Sequence, residues 1–263
     1  MKKYFSIIDR EGLTFLTMGR FGCGEGVEVY FTTRSGGVST GPFTGCNLDP
    51  EGGDDAAAVS ANQKKVLGAL GIEGVFLPRQ VHGPEVVPAD SLVEGFIFGK
   101  EGDAVAGRLP GAALGIMTAD CLAVMLCSPP GPVVAAVHAG WRGIVRQVIP
   151  GALNFIHSLG GDISRTKAFL GPAVGPCCYL VEPEVAGQIA AASEPEAVLP
   201  GEGGRVRVDL AAAAGRQLED GGVPRDNIVS SGLCTSCSPE LFFSHRRDAG
   251  RTGRMAGIIV RRS

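Results

Sequence analysis

Residues 112–145, AALGIMTADCLAVMLCSPPGPVVAAVHAGWRGIV, contain three apolar runs at 112–117, 122–126 and 133–137. The runs are short, aliphatic and partly β-branched, which suits strands buried on both faces. Upstream, 27–33 alternates apolar and polar residues as a strand does, and 34–54 is a turn-rich loop. Asp54 or Asp55 can cap a helix running to about Leu70, with Val59, Val66, Leu67 and Leu70 on one face and Gly71 as its stop. Short strands at 75–81 and 85–87 flank His82-Gly83-Pro84. Downstream, 144–159 has helical spacing, which Pro150 must kink or divide. A short strand is expected at 168–170, helices at 183–192 and 210–218, and closing strands at 228–230, 241–244 and 255–260. Residues 193–204 read as a surface loop. Strands and helices mix without regular alternation, repeat or dividing linker, so the expectation is one mixed α/β domain over 1–263.

Of the 263 residues, 44% are hydrophobic and 19% charged, ample for a buried core at this length. The 40 glycines and 17 prolines stay below the ~25–30% that marks low complexity. A net charge of −3 lacks the basic footprint of a nucleic-acid binder; Arg261 and Arg262 read as a solvated chain end. The opening MKKYFSIIDR starts like a secretory leader without the ~7–15-residue apolar core that one needs. No apolar run approaches the ~20 residues of a membrane span. The expected location is the cytoplasm, where the eight cysteines stay reduced and serve packing, metal ligation or nucleophilic chemistry.

Only four histidines exist: His82, His138, His157 and His245. His82 and His138 stand where apolar strands give way to glycine, and Cys121 lies between two apolar runs. Strand-end residues face a cleft from a rigid scaffold. Two imidazoles and a thiolate suit zinc and leave a fourth position open. Their spacing matches no compact zinc-finger pattern, so a buried cysteine with two hydrogen-bonded histidines is an equal reading. Trp141 beside Arg142, directly after His138, is an expensive arrangement for packing alone and favours a functional turn.

The motifs Gly36-Gly37-Val38-Ser39, Gln80-Val81-His82-Gly83, Thr118-Ala119-Asp120-Cys121, His138-Ala139-Gly140-Trp141-Arg142-Gly143, Leu170-Gly171-Pro172-Ala173-Val174-Gly175-Pro176 and the 242–255 segment follow one another in a familiar order. Together they resemble the bacterial "multicopper polyphenol oxidase" or laccase-domain family, described as zinc-containing purine nucleoside phosphorylases with adenosine deaminase activity. The resemblance implies His82, Cys121 and His138 as zinc ligands. It implies a layered sandwich of mixed β-sheets covered by helices, cysteine-hydrolase-like in shape. It also implies purine nucleosides and phosphate as partners, with adenosine, inosine and methylthioadenosine as substrates. No membrane or nucleic-acid partner is expected, and the state is a monomer or small homo-oligomer.

A multicopper cluster fails on histidine count. A single His2Cys copper with Met117 or Met125 as weak axial ligand is the less favoured metal, because electron transfer does not require an arginine-rich cleft. Zinc can activate water or polarise a substrate group. Arg34, Arg142, Arg246 and Arg247 are candidate phosphate binders, their planar forks matching the anion. Asp120 is either a general base or a residue orienting its neighbours. Asn47 and Gln80 are candidate substrate contacts, and the Gly36-Gly37 pair is expected to turn the backbone beside the cleft.

Cys46 is expected in packing and His245 as a satisfied structural histidine. Cys234 and Cys237 read as thiols near a turn; Cys177 and Cys178 occupy a loop without an assigned role. No histidine is followed two residues on by glutamate, which argues against a cytidine-deaminase zinc site. Two alternatives use the same residues. One makes Cys121 a nucleophile activated by His138 in a cysteine hydrolase, with peptidoglycan-precursor editing as its task. The other is a non-enzymatic metal carrier.

Overall fold

The computed structural model describes residues 5–17 and 26–262. Met1–Tyr4 of the leader-like stretch, Cys23 and Ser263 lie outside them. The rest of that stretch is a strand, β1 (Ser6–Arg10), followed by β2 (Leu13–Thr17), β3 (Val27–Thr32), α1 (Ala56–Leu70), β4 (Gly74–Arg79), β5 (Val86–Ala89), β6 (Gly95–Glu101) and β7 (Ala104–Gly107). The three apolar runs then form β8 (Ala113–Thr118), β9 (Leu122–Ser128) and β10 (Val133–Ala139). The chain continues through α2 (Trp141–Val145), α3 (Val148–Ser158), β11 (Lys167–Leu170), β12 (Leu180–Val181), α4 (Pro183–Ala192), β13 (Val198–Leu199), β14 (Val206–Val208), α5 (Leu210–Asp220), β15 (Ile228–Ser230) and β16 (Met255–Arg261).

Two mixed sheets dominate. One runs β1-β2-β3-β16-β8-β4-β6 and the other β15-β11-β9-β10-β7-β5, while β12-β14-β13 make a small antiparallel sheet. The fold is a mixed α+β sandwich, as expected. Alternate residues of the central strands feed different cores because side chains project to opposite faces. In β9, Ala123, Met125 and Cys127 fill the space between the two large sheets, with Leu114, Ile116 and Phe31 of the first sheet. Leu122, Val124 and Leu126 turn outward under α3 and α5, beside Ile149, Ile156 and Leu218. On the outer face of the first sheet, Val66 and Leu70 of α1 cover Ile258 and Leu77. Double-sided burial explains why these strands read as unbroken apolar runs.

Helix α1 starts and stops as its sequence indicates. Asp55 accepts a hydrogen bond from Ala58 N, and Gly71 ends the helix at φ 60°. Arg262 corrects the solvated-end reading. Its guanidinium clamps Glu28 Oε2 at 2.7 and 2.9 Å and donates to the last carbonyls of the helix, at Leu70 and Gly71, where a cation opposes the helix dipole. Burial would raise the Glu28 pKa, but bonds from Arg262 and Tyr30 outweigh it and hold the carboxyl below its usual value.

The 144–159 helix is divided. The break falls at Gln147, φ 63°, and Pro150 sits in the first turn of α3, where a missing N–H costs nothing. Residues 193–204 are more than a loop: they contain β13, and Ala197 is fully buried. Residues 241–244 are not a strand. Phe242 and Phe243 are fully buried within a coil pinned by Phe242 N to Ser238 O and Arg34 N to Leu241 O; their apolar character reflects a plug in the core. Phe242→Ala is expected to lower unfolding stability by about 3–5 kcal/mol, read as a lower urea midpoint.

Candidate metal centre and active site

Strands β8 and β9 belong to different sheets, so residues 119–121 carry the chain across the end of the sandwich. The crossing demands an unusual backbone: Asp120 lies at φ 94°, a conformation few non-glycine residues adopt. Cys121 emerges from this crossing next to β10, which pairs with β9 so that His138 faces Ala123 and Ala139 faces Leu122. The following pair brings Gly140 against Cys121. A side chain at Gly140 would sit 2.9 Å from Cys121 Sγ, so only glycine leaves the sulfur its space. His82, at φ 57°, comes from the loop after β4, held by Arg146 Nη1 donating to His82 O at 2.7 Å.

The three side chains converge. One ligand atom from each of His82, Cys121 and His138 lies within 4.8 Å of the others, and the two imidazole rings meet edge-on at 5.0 Å between centroids. Asp103, absent from the sequence reading, organises them. It directly precedes β7, whose register pairs Ala104 with Val137, so Asp103 falls opposite His138. Its Oδ1 lies 2.7 Å from His138 Nδ1, and its Oδ2 accepts the N–H groups of Val81 and Gly83 at 3.0 and 2.7 Å. The carboxylate thus aims one histidine and braces the loop bearing the other. With Nδ1 taken, Nε2 of His138 is left to face the trio, as in metal-bound histidines.

Electrostatics favour the ligating form of the cysteine. Burial opposes ionisation of Cys121, but His138 and His82 outweigh it and bring its pKa down to about 6. Burial also opposes protonation of His138, yet the Cys121 thiolate and Asp103 raise its pKa to about 9. Asp103, despite burial, is held below the usual carboxylate range by His138 and the two backbone N–H groups. Two imidazoles and a thiolate around one point are a donor set that fits a transition-metal ion such as zinc, with one position left open once His138 gives up its proton.

The trio opens into a cavity of about 420 Å³, within the size range of small-molecule sites. Arg142, Arg246, Arg254, His245, Trp141 and Tyr179 line its mouth. Arg142 stacks over Trp141 at 4.4 Å, and Arg246 over Tyr179 at 5.2 Å. The two acids of the lining are engaged: Asp49 with Arg254 at 3.2 Å, and Asp120 with Thr235 Oγ1 and Arg246 N at 2.5 and 2.6 Å.

Several expected contacts fall elsewhere. Arg34 stacks on Phe243 and donates to the carbonyls of Thr44 and Pro239. Arg247 binds Asp248, Thr235 O and Phe242 O. Neither lines the cavity. Asn47 is fully buried beneath it, bonded to Asp54, Asp49 N and Arg254 N. Gln80 lines the cavity, but its amide pairs with both backbone groups of Met117. The Gly36-Gly37 pair packs against Gly12 and Cys46, away from the cleft. His245 is exposed, lines the cavity and makes no side-chain hydrogen bond among the described residues. Met125 is sealed between the sheets, whereas Met117 borders the cavity. Cys46 is buried, and burial pushes its thiol up to about 12.

Two outcomes follow. In chelator-treated protein, Cys121 alkylation should accelerate as pH rises through about 6 rather than 9.0, the value for an unperturbed thiol; mass-spectrometric labelling across a pH series checks this. The thiolate–imidazolium pair spans pH about 6 to about 9, because the thiolate is absent below and the imidazolium above. Asp103→Asn should weaken metal binding about 10- to 100-fold, measured by competition with a chelator.

The model of the family described as multi-copper polyphenol oxidoreductase laccase matches residues 28–262. A Deinococcus radiodurans protein named purine nucleoside phosphorylase is 41% identical over 231 residues, 87% of each chain. A Geobacillus stearothermophilus protein named purine nucleoside phosphorylase YlmD is 34% identical, covering 90% of this chain and 91% of its own. The crystal structure of YlmD from that organism superposes with a TM-score of 0.90 at 32% identity over the whole of both chains. A Bacillus licheniformis structure titled hypothetical protein YfiH gives 0.88 at 30% identity, with 98% of this chain and 99% of that one covered. By the extent of the match and by relatives across several bacterial genera, this chain belongs to the laccase-domain family of multi-copper polyphenol oxidoreductase description.

Proposed function

We propose that the protein is a cytoplasmic, zinc-dependent purine nucleoside phosphorylase that also deaminates adenosine. The observation carrying this reading is a His2Cys set in a cavity lined by guanidinium groups, those of Arg142 and Arg246, that no carboxylate pairs. Asp49 is paired with Arg254, and the guanidinium groups of Arg142 and Arg246 outnumber the one remaining carboxylate of the lining, Asp120. Such a mouth attracts an anion, and guanidinium forks match phosphate. The names of the relatives point the same way.

In phosphorolysis a phosphate oxygen attacks the ribose C1′, the C1′–N bond to the purine breaks, and the base leaves with a proton. Arg142 and Arg246 hold the phosphate in this reading. The Arg142 guanidinium makes no hydrogen bond among the described residues, and Arg246 spends one arm on Leu180 O. Trp141 and Tyr179 offer flat faces beside the arginines, and His245 an imidazole at the rim. Asp120 acts by position: its bonds to Thr235 and Arg246 N fix the crossing that presents Cys121. When bound, zinc supplies a Lewis acid at the head of the cavity, for phosphorolysis or for attack of water on the adenosine C6.

A second reading has one specific observation in its favour. The Asp103–His138–Cys121 chain, with a thiol lowered to about 6, has the arrangement of an oriented base beside a thiolate nucleophile. Activity that survives complete metal removal would select this cysteine-hydrolase reading.

The test is release of free base from adenosine, inosine and methylthioadenosine with and without phosphate, alongside ammonia release from adenosine. Base release should require both phosphate and metal and should be lost in His82→Ala. Release without phosphate would overturn phosphorolysis. Arg142→Ala, which removes a charged donor worth about 1.5–3 kcal/mol, should lower kcat/KM for phosphate roughly 10- to 100-fold.

A further inference from the structure

The loop after β11 and the loop after β15 run side by side. Ala173 N donates to Leu233 O at 3.2 Å and Thr235 N to Ala173 O at 3.0 Å, with a parallel bridge between Ala173 and Cys234. The pairing brings Cys177 and Cys178 of one loop to Cys234 and Cys237 of the other. All four sulfurs lie within 4.8 Å of one another; Cys237 Sγ is 3.5 Å from Cys177 Sγ and 3.4 Å from Cys178 Sγ. All four cysteines are free.

This spacing is informative. A zinc–sulfur bond of about 2.3 Å implies tetrahedral sulfur–sulfur edges of about 3.8 Å. An iron–sulfur cluster, whose cysteines bind different irons, needs its sulfurs farther apart. A disulfide would use two of the four and give no reason for the others to converge. Thiols are weak hydrogen-bond partners, so the cluster gains little from internal bonding. Gly175 N donates to Cys234 Sγ at 3.2 Å, an N–H aimed where negative charge would reside. Cys177 and Cys237 are solvent-exposed, which leaves an entry path for an ion.

We propose that Cys177, Cys178, Cys234 and Cys237 bind a second zinc ion in a closed four-thiolate site, separate from His82, Cys121 and His138. Binding replaces four S–H protons by one Zn²⁺, releasing four protons with no change in oxidation state. With every coordination position filled by protein, the ion is structural. It staples the loop bearing Val174 and Tyr179, which line the cavity, to the loop bearing Thr235, whose hydroxyl holds Asp120. One wall of the active cavity thus depends on a metal that does no chemistry.

Elemental analysis of the desalted full-length protein should find two zinc ions per chain. Cys234→Ser/Cys237→Ser should lose one and keep the other, and Cys121→Ser should do the reverse. Cobalt(II) loaded into Cys121→Ser should give thiolate-to-cobalt charge-transfer bands and the visible bands of tetrahedral coordination. Should the double variant fail to fold, alkylation mapping of the native protein decides. The four cysteines should be protected until a chelator is added. Their rapid labelling in the untreated protein, their recovery as disulfides, or full metal content in the double variant would overturn the proposal. A single ion in the unsubstituted protein that Cys121→Ser also retains, with protection confined to the four cysteines, would support it while removing the trio as a zinc site.

Discussion

The carboxylate of Asp103 is fully buried, and each of its oxygens is committed: one to His138, the other to the N–H groups of Val81 and Gly83. Its backbone carbonyl also accepts the His138 N–H at 2.7 Å. A buried charge is tolerated only when paired and fully bonded, so the loop after β4, the edge of β7 and the end of β10 are locked in one arrangement. Both candidate histidine ligands hang from that lock. The orientation of the site and the stability of this corner of the sandwich are therefore one problem.

The sandwich explains why the corner lies where it does. Chain passing from one sheet to the other must cross an open end, and the crossing between β8 and β9 exposes Cys121 there. The crossing needs Asp120 in a strained backbone, a cost repeatedly found at functional positions. Thr235 and Arg246 N offset it by bonding the same carboxylate. These two partners come from segments distant from Asp120 in the chain, so the closing loops hold the crossing in shape. The cysteine-rich junction is built into these loops.

The positive mouth follows from subtraction more than from arginine number. Arg34 and Arg247 resemble Arg142 in sequence context, yet their guanidinium groups are spent on backbone carbonyls and Asp248. What distinguishes Arg142 is a perch on Trp141 that offers a face but no acceptor. A cation left without a fixed partner beside an open cavity is free to meet a ligand.

Much of the fold was legible from local chemistry. The three apolar runs, a helix cap at Asp54 or Asp55, the Gly71 stop and the bounds of α4 and β15 follow from periodicity and propensity, which act over a few residues. The edge strands β1 and β6, the interior strand β2 and the four-residue β7 were not, because partly polar or very short strands owe their existence to neighbours. The trio of His82, Cys121 and His138 stood out by residue type and by resemblance. Asp103 carried no local signal, since its role depends on register with β10. The same holds for Phe242 and Phe243, which local pattern makes a strand and packing makes a plug. The sequence by itself determined which segments must be buried and which side chains can ligate. Tertiary structure alone decided which arginines remain unspent, which carboxylate orients the histidines and that four scattered cysteines meet, because each is a distance between residues far apart in the chain.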